Sequence, residues 1–157
     1  MSGFKGQWEY SVDAKGRVAL PAKLRRSIRP EANNRLTVTR GFEPCLYVFP
    51  AYEWENVETQ LRSLNTYMKE ARAFIRTILG WADEIALDGQ GRMALSKRLM
   101  DFANISEKVL IIGTLERIEL WDPDTFDRQE ADQTIEYEQL AELVMGGKAA
   151  GRPNMLE

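Results

Sequence analysis

The chain is 157 residues long, 44% hydrophobic and 29% charged, which fits one soluble globular domain or two small ones sharing a core. With no histidine and one cysteine, Cys45, the sequence excludes a Ser-His-Asp triad, a Cys-His dyad, His-ligated metal, an internal disulfide and a multi-cysteine zinc site. The formal net charge of −3 hides an asymmetry: residues 1–40 carry nine cations against three anions, a net +6, while the other 117 carry 12 against 21, a net −9, the footprint of a protein that meets a polyanion with one face.

Trp8–Val12, aromatic and β-branched, predicts a strand. Asp13–Gly16 is a turn, with Asp as its cap and Gly at a φ > 0 position of a bulged hairpin. Arg17–Leu20 is the returning strand. Pro21 suits the first turn of a helix, where its missing N–H costs nothing; Ala22–Ile28 continue that helix and Pro30 stops it. Leu36–Thr39 and Leu46–Phe49 are strands around a Gly41/Pro44 turn. Trp54, Val57, Leu61 and Leu64, then Tyr67, Ala71, Phe74, Ile75, Ile78 and Leu79, mark two amphipathic helices separated at Asn65-Thr66, with Thr66 capping the second. Glu84–Leu87, Arg92–Leu95, a helix from Lys97, Val109–Ile112 and Ile118–Trp121 repeat the first half. From Phe126 no strand is expected; Tyr137, Leu140, Ala141 and Val144 mark a last helix, ended by Gly146-Gly147, and Lys148–Glu157 form a frayed tail. The apolar stripes, and Trp54, Trp81 and Trp121, are expected in core or subunit packing.

The chain thus contains one internal duplication. Val12–Leu24 aligns with Leu87–Leu99 at an offset of 75 residues, with Asp13/Asp88, Gly16/Gly91, Arg17/Arg92, Ala19/Ala94, Leu20/Leu95 and Leu24/Leu99 identical. Gly41–Phe49 aligns with Gly113–Trp121 at an offset of 72. Two copies are too few for a solenoid. They fit two half-domains related by a pseudo-twofold, because each half alone is near the lower limit of stable size.

Each repeat carries Asp-x-x-Gly-Arg. Glycine at such a tip lets backbone approach a partner closely. A carboxylate four residues before an arginine fixes the guanidinium fork, and an oriented arginine reads guanine or clamps phosphate. Asp and Gly also populate ordinary hairpin turns, so one copy is weak evidence; two equivalent copies, the first inside the basic end, favour function.

Asp13–Arg17 followed by Val18–Ala22 resembles the signature of the AbrB-like (SpoVT-AbrB, swapped-hairpin) DNA-binding module. Two such modules, with Gly41–Phe49, Trp54, Asp88–Arg92 and Gly113–Trp121, resemble the MraZ family of bacterial transcriptional regulators over Phe4 to about Phe126. The resemblance implies an α+β fold: two AbrB-like swapped-hairpin β modules related by a pseudo-twofold, with linking and C-terminal helices. The boundaries expected are residues 4–54 for the first module, 55–82 for a helical connector, 83–126 for the second module, and 127–157 for the C-terminal helix and tail. It further implies binding of double-stranded promoter DNA ahead of the division and cell-wall gene cluster, through direct repeats, by a homo-oligomer closed into a ring.

Carried over residue by residue, Lys15, Arg17 and Arg92 are the expected DNA contacts, with Lys23 and Arg25 as peripheral phosphate contacts. Asp13, Gly16, Asp88 and Gly91 position the arginines and form the turns. The second copy departs from the pattern: Gln90 stands in the place of Lys15, and Ser96, a potential helix cap, in that of Pro21. No cofactor, metal, catalytic residue or small-molecule substrate is expected. The longest clean apolar run, Val109–Ile112, is far short of a membrane span, and Met1–Val12 lacks the apolar core of a secretion signal, so a cytoplasmic, nucleoid-associated protein is expected. One alternative is an AbrB-type antitoxin-like protein that binds DNA and a protein partner, with acidic Asp127–Glu142 toward the partner. An enzyme of phosphoryl chemistry is disfavoured, since no G-x-x-x-x-G-K-[ST] loop exists.

Overall fold

The computed structural model describes residues 3–146, so the expected tail Lys148–Glu157, and Gly147 of the expected helix stop, lie outside the described residues. In chain order the elements are β1 (Phe4–Ser11), β2 (Arg17–Ala19), α1 (Ala22–Ser27), a 3-10 turn at Pro30–Ala32, β3 (Arg35–Arg40), β4 (Leu46–Pro50), α2 (Ala51–Arg62) and α3 (Lys69–Gly80). There follow β5 (Asp83–Ala86), β6 (Arg92–Ala94), α4 (Lys97–Ala103), β7 (Lys108–Leu115), β8 (Arg117–Trp121), α5 (Pro123–Ala131) and α6 (Tyr137–Ala141), which runs into a π-helical turn at Glu142–Gly146. The chain divides into two compact units at Thr125/Phe126.

The first unit holds both sheets. A six-stranded sheet has the order β1-β7-β8-β4-β3-β5, and a two-stranded ribbon pairs β2 with β6. Exchanging the equivalent strands of the two repeats (β1 with β5, β3 with β7, β4 with β8) reverses the six-strand order onto itself, which is a pseudo-twofold. The pairing corrects the expectation of a local hairpin. Strand β1 does not pair with β2; it lies antiparallel to β7, from Phe4 opposite Leu115 to Ser11 opposite Lys108. Likewise β5 pairs with β3, and β2 pairs with β6. Each module therefore lends its first strand to the other's sheet. The physical reason is burial: two interleaved halves enclose one core that neither half is large enough to build alone.

That core is common to both repeats. Val18, Leu20 and Leu24 from the first meet Met93, Leu95 and Leu99 from the second, together with Val38, Val48, Ile111, Ile118 and Leu120. In the ribbon the side chains alternate. Val18 lies opposite Met93, and both are buried. Arg17, Ala19, Arg92 and Ala94 consequently share the outward face.

The helices adjust this frame. Helix α1 begins after Pro21 with no side-chain cap, whereas Ser96 Oγ accepts the Leu99 N–H at 3.3 Å and caps α4. Thr66 does not cap α3, which starts after Met68 without a side-chain cap. Asn65 takes over the break instead, its Oδ1 accepting the Tyr67 N–H at 3.0 Å. Tyr67 therefore falls outside the helix and is fully exposed. Within α3 only Ile78 is buried, and its carbonyl accepts the buried Thr39 hydroxyl at 2.8 Å. Trp54 and Trp121 are buried in the first unit, and Trp81 is half-buried. In the second unit α6 follows a Glu136 N–H bonded to Gln139 Oε1 at 3.1 Å, and Tyr137 and Val144 are exposed in the single chain rather than part of its core.

Candidate nucleic-acid interface

Each end of the ribbon grows out of an Asp-x-x-Gly-Arg turn. In the first, the Gly16 N–H donates to Asp13 O at 3.0 Å and the Asp13 N–H to Arg17 O at 2.9 Å. The second repeats this, with Gly91 to Asp88 O at 2.9 Å and Asp88 to Arg92 O at 3.1 Å. Closing so tightly requires φ of +77° at Gly16 and +73° at Gly91, a region that a side chain makes costly.

The aspartates face inward on their own turns. Asp13 Oδ1 accepts the Lys15 and Arg17 N–H groups, each at 2.9 Å, and Asp13 Oδ2 accepts Arg17 Nε at 2.8 Å. Asp88 does the same with the N–H groups of Gln90 and Arg92 and with Arg92 Nε, at 2.9, 2.9 and 2.8 Å. Backbone donation from the arginine N–H is the main reason the Asp13 carboxyl lies below its ordinary value and that of Asp88 falls to about 2. Both aspartates therefore stay ionised at neutral pH.

Holding each arginine through Nε fixes the plane of its guanidinium, and both side chains keep close to a third of their surface exposed. Arg92 also reaches across the ribbon, with Nη1 3.9 Å from Asp13 Oδ2. The two turns are thereby joined into one patch. Chemically, the patch presents two oriented donor forks, suited to a phosphate or to a base edge in a groove.

The remaining cations are distributed unevenly. Lys15 is exposed at the first tip, and Lys23 is exposed on α1. Arg25, also on α1, has a place that sequence alone did not assign: its Nε donates to Leu20 O at 3.0 Å, and it lies against Gly91 of the other repeat, where an added Cβ would fall 2.8 Å from Arg25 Cδ. The signal lay in the alignment, where Met100 is the counterpart of Arg25. Cys45 is buried far from these turns in sequence, and desolvation pushes its thiol up to about 12. Among the described residues no three His, Cys, Asp or Glu side chains gather in a way that would hold a metal ion, and no helix is long and apolar enough to cross a membrane.

Two consecutive segments, residues 4–77 and 78–144, match the family described as "MraZ protein, putative antitoxin-like". The chain belongs to the MraZ family. Among its relatives, the protein named transcriptional regulator MraZ from Desulforamulus reducens is 35% identical over 142 residues, covering 90% of this chain and 97% of the relative. The protein of that name from Thermoanaerobacter pseudethanolicus is 37% identical over 137 residues, 87% of this chain and 93% of its own. The one from Shewanella oneidensis is 36% identical over 141 residues, 88% and 93%. The two matched segments meet inside α3, so the first takes α2 and most of α3 and the second begins in the last turn of α3.

Proposed function

We propose that this chain is a DNA-binding transcriptional regulator whose contact surface is the outward face of the β2–β6 ribbon. The observation that carries the reading is the pair of aspartate-braced arginines, Arg17 and Arg92, set on one face of one ribbon and linked through Asp13. Lys15 adds a cation at the first tip, and Lys23 and Arg25 supply phosphate contacts from α1. Asp13, Asp88, Gly16 and Gly91 act on DNA only through the arginines and turns that they shape. The names of the MraZ relatives support the regulatory role.

In this reading the target is the promoter of the division and cell-wall gene cluster, and the protein acts at the nucleoid in the cytoplasm. One ribbon offers few contacts, so avidity is required: subunits closed into a ring present several ribbons at a fixed spacing to direct repeats, gaining on the order of 10²-fold in apparent affinity. Exposed Phe42, Leu64, Met68, Phe74 and Leu79, all in the first unit, supply apolar surface for such an assembly.

Genomic footprinting of the wild-type protein is expected to reveal regularly spaced repeats. Arg17→Ala is expected to abolish specific binding in gel shifts while light scattering shows an unchanged oligomer; wild-type affinity in that variant overturns the reading. The family description and the acidic segment 127–142 favour a second role as the DNA-binding half of an antitoxin-like pair. A stoichiometric small protein co-purifying from native cells would establish that role.

A further inference from the structure

We propose that the second turn borrows its missing cation from the first module, so that Arg25 and Arg92 together form one composite phosphate-binding site. This rests on the reading of the ribbon as a DNA-contacting surface, and it moves Arg25 from the margin of that surface to its second tip.

Strand exchange creates the opportunity. The Leu20 N–H donates to Gly91 O at 2.9 Å, and the Leu95 N–H to Gly16 O at 3.0 Å. Each short helix therefore starts beneath the turn of the opposite repeat. At the first turn the helix residue presented to glycine is Met100, whose sulfur lies 3.5 Å from where a Cβ on Gly16 would stand. At the second turn the equivalent residue is Arg25, whose Cδ and Nε lie 2.8 Å and Cζ 3.1 Å from a Cβ on Gly91. Glycine at 91 is thus required twice, for its φ of +73° and for the room that the arginine occupies.

The loss and the gain match. The first turn has Lys15 and a neutral thioether below it; the second has Gln90 and a guanidinium below it. One helix position further on, α1 has Arg26 where α4 has Asp101, and Asp101 is paired with Lys97 at 2.9 Å. A cleft of about 690 Å³ beside the first turn is accordingly lined by both signs, with Lys15 and Lys97 against Asp13, Asp101 and Glu107. Arg25 spends only Nε on the Leu20 carbonyl and makes no ion pair among the described residues. Its two terminal nitrogens remain for an anion. Beyond its braced arginine, each turn therefore gains one cation that makes no ion pair among the described residues, Lys15 from its own loop in the first case and Arg25 from the other module in the second.

The test is the salt dependence of binding to a mixed-sequence DNA duplex, whose slope counts phosphates neutralised. Arg25→Met installs the side chain that already underlies the first turn. Arg25→Gln keeps a donor for the Leu20 carbonyl while removing the charge. Both are expected to weaken binding several-fold and to flatten the log–log slope by about one per engaged subunit, with circular dichroism and oligomer size unchanged. Arg25→Lys retains the slope. Adding Gln90→Lys to Arg25→Met restores it, which no purely structural role of Arg25 accounts for. An unchanged slope in Arg25→Met and Arg25→Gln, or a slope that Gln90→Lys fails to restore, overturns the composite site while Arg17→Ala still tests DNA binding itself. A wild-type chain without salt-dependent DNA binding overturns the functional reading and this site with it.

Discussion

At the first turn, Gly16 packs near the Met100 sulfur and an exposed lysine stands on the loop; at the second, Gly91 packs against Arg25 and the loop residue is neutral Gln90. The two turns make the same hydrogen bonds: the equivalent aspartate takes the equivalent two N–H groups and the equivalent Nε, at distances that agree between the copies. The duplication has held its scaffold constant while its charges were redistributed. Turn geometry is specified by Asp, Gly and Arg alone, whereas the electrostatic surface is set by residues that the scaffold merely carries.

Four substitutions separate the shared scaffold from the divergent surface. The largest effect is expected at the centre of the ribbon. Met93→Ala removes a buried side chain opposite Val18 and is expected to cost about 2–5 kcal/mol in chemical denaturation. Since the two strands anchor both turns, DNA binding through the two ends should fall together; loss at one end only would show that the ends are independent.

Next come the glycines. Gly16→Ala and Gly91→Ala each force a side chain into left-handed backbone, at roughly 1–2 kcal/mol, measurable by thermal melting. Their consequences for binding should differ. At Gly16 the new methyl meets Leu95 O at 3.0 Å, a backbone atom, while at Gly91 it displaces Arg25. Only Gly91→Ala is expected to flatten the salt slope as Arg25→Met does.

The smallest effect is in pH. The Asp88 carboxyl lies at about 2 in the folded chain against an ordinary 3.8, so the unfolded chain binds its proton first as pH falls. Its stabilising contribution is complete above about pH 4 and disappears as pH falls through about 2. The melting-temperature difference between the wild type and Asp88→Asn should be constant from neutral pH to about 4 and then shrink. Asp13 shifts in the same direction. A difference that grows on acidification would contradict the bracing geometry.

Much of this architecture was legible in the residues. The turns announced themselves because Asp, Gly and Arg each answer a local demand, and the strands because alternation and β-branching are local signals. Ser96 declared its capping role for the same reason. Strand partnership was not legible: WEYSV shows that a strand exists and nothing about whether β2 or β7 accepts its hydrogen bonds. The approach of Arg25 to Gly91 depends on that exchange and was hidden with it. Helix α5 was missed although Asp122-Pro123 is a start signal, with Asp122 Oδ2 accepting the Thr125 N–H at 3.0 Å and its hydroxyl at 2.8 Å. Tyr67 continued the apolar period of α3 on paper but stands outside the helix, because the Asn65 turn resets the chain before the helix begins.

Joining the two halves in a single polypeptide gives the β2–β6 ribbon a direction. Two identical chains crossing at one and the same residue would look the same from either end and would suit an inverted, palindromic target, whereas here Val18 crosses Met93. Here one end carries a lysine on its loop and the other an arginine from below, so turning the ribbon around changes what it offers. A partner that recognises both ends must itself have a head and a tail.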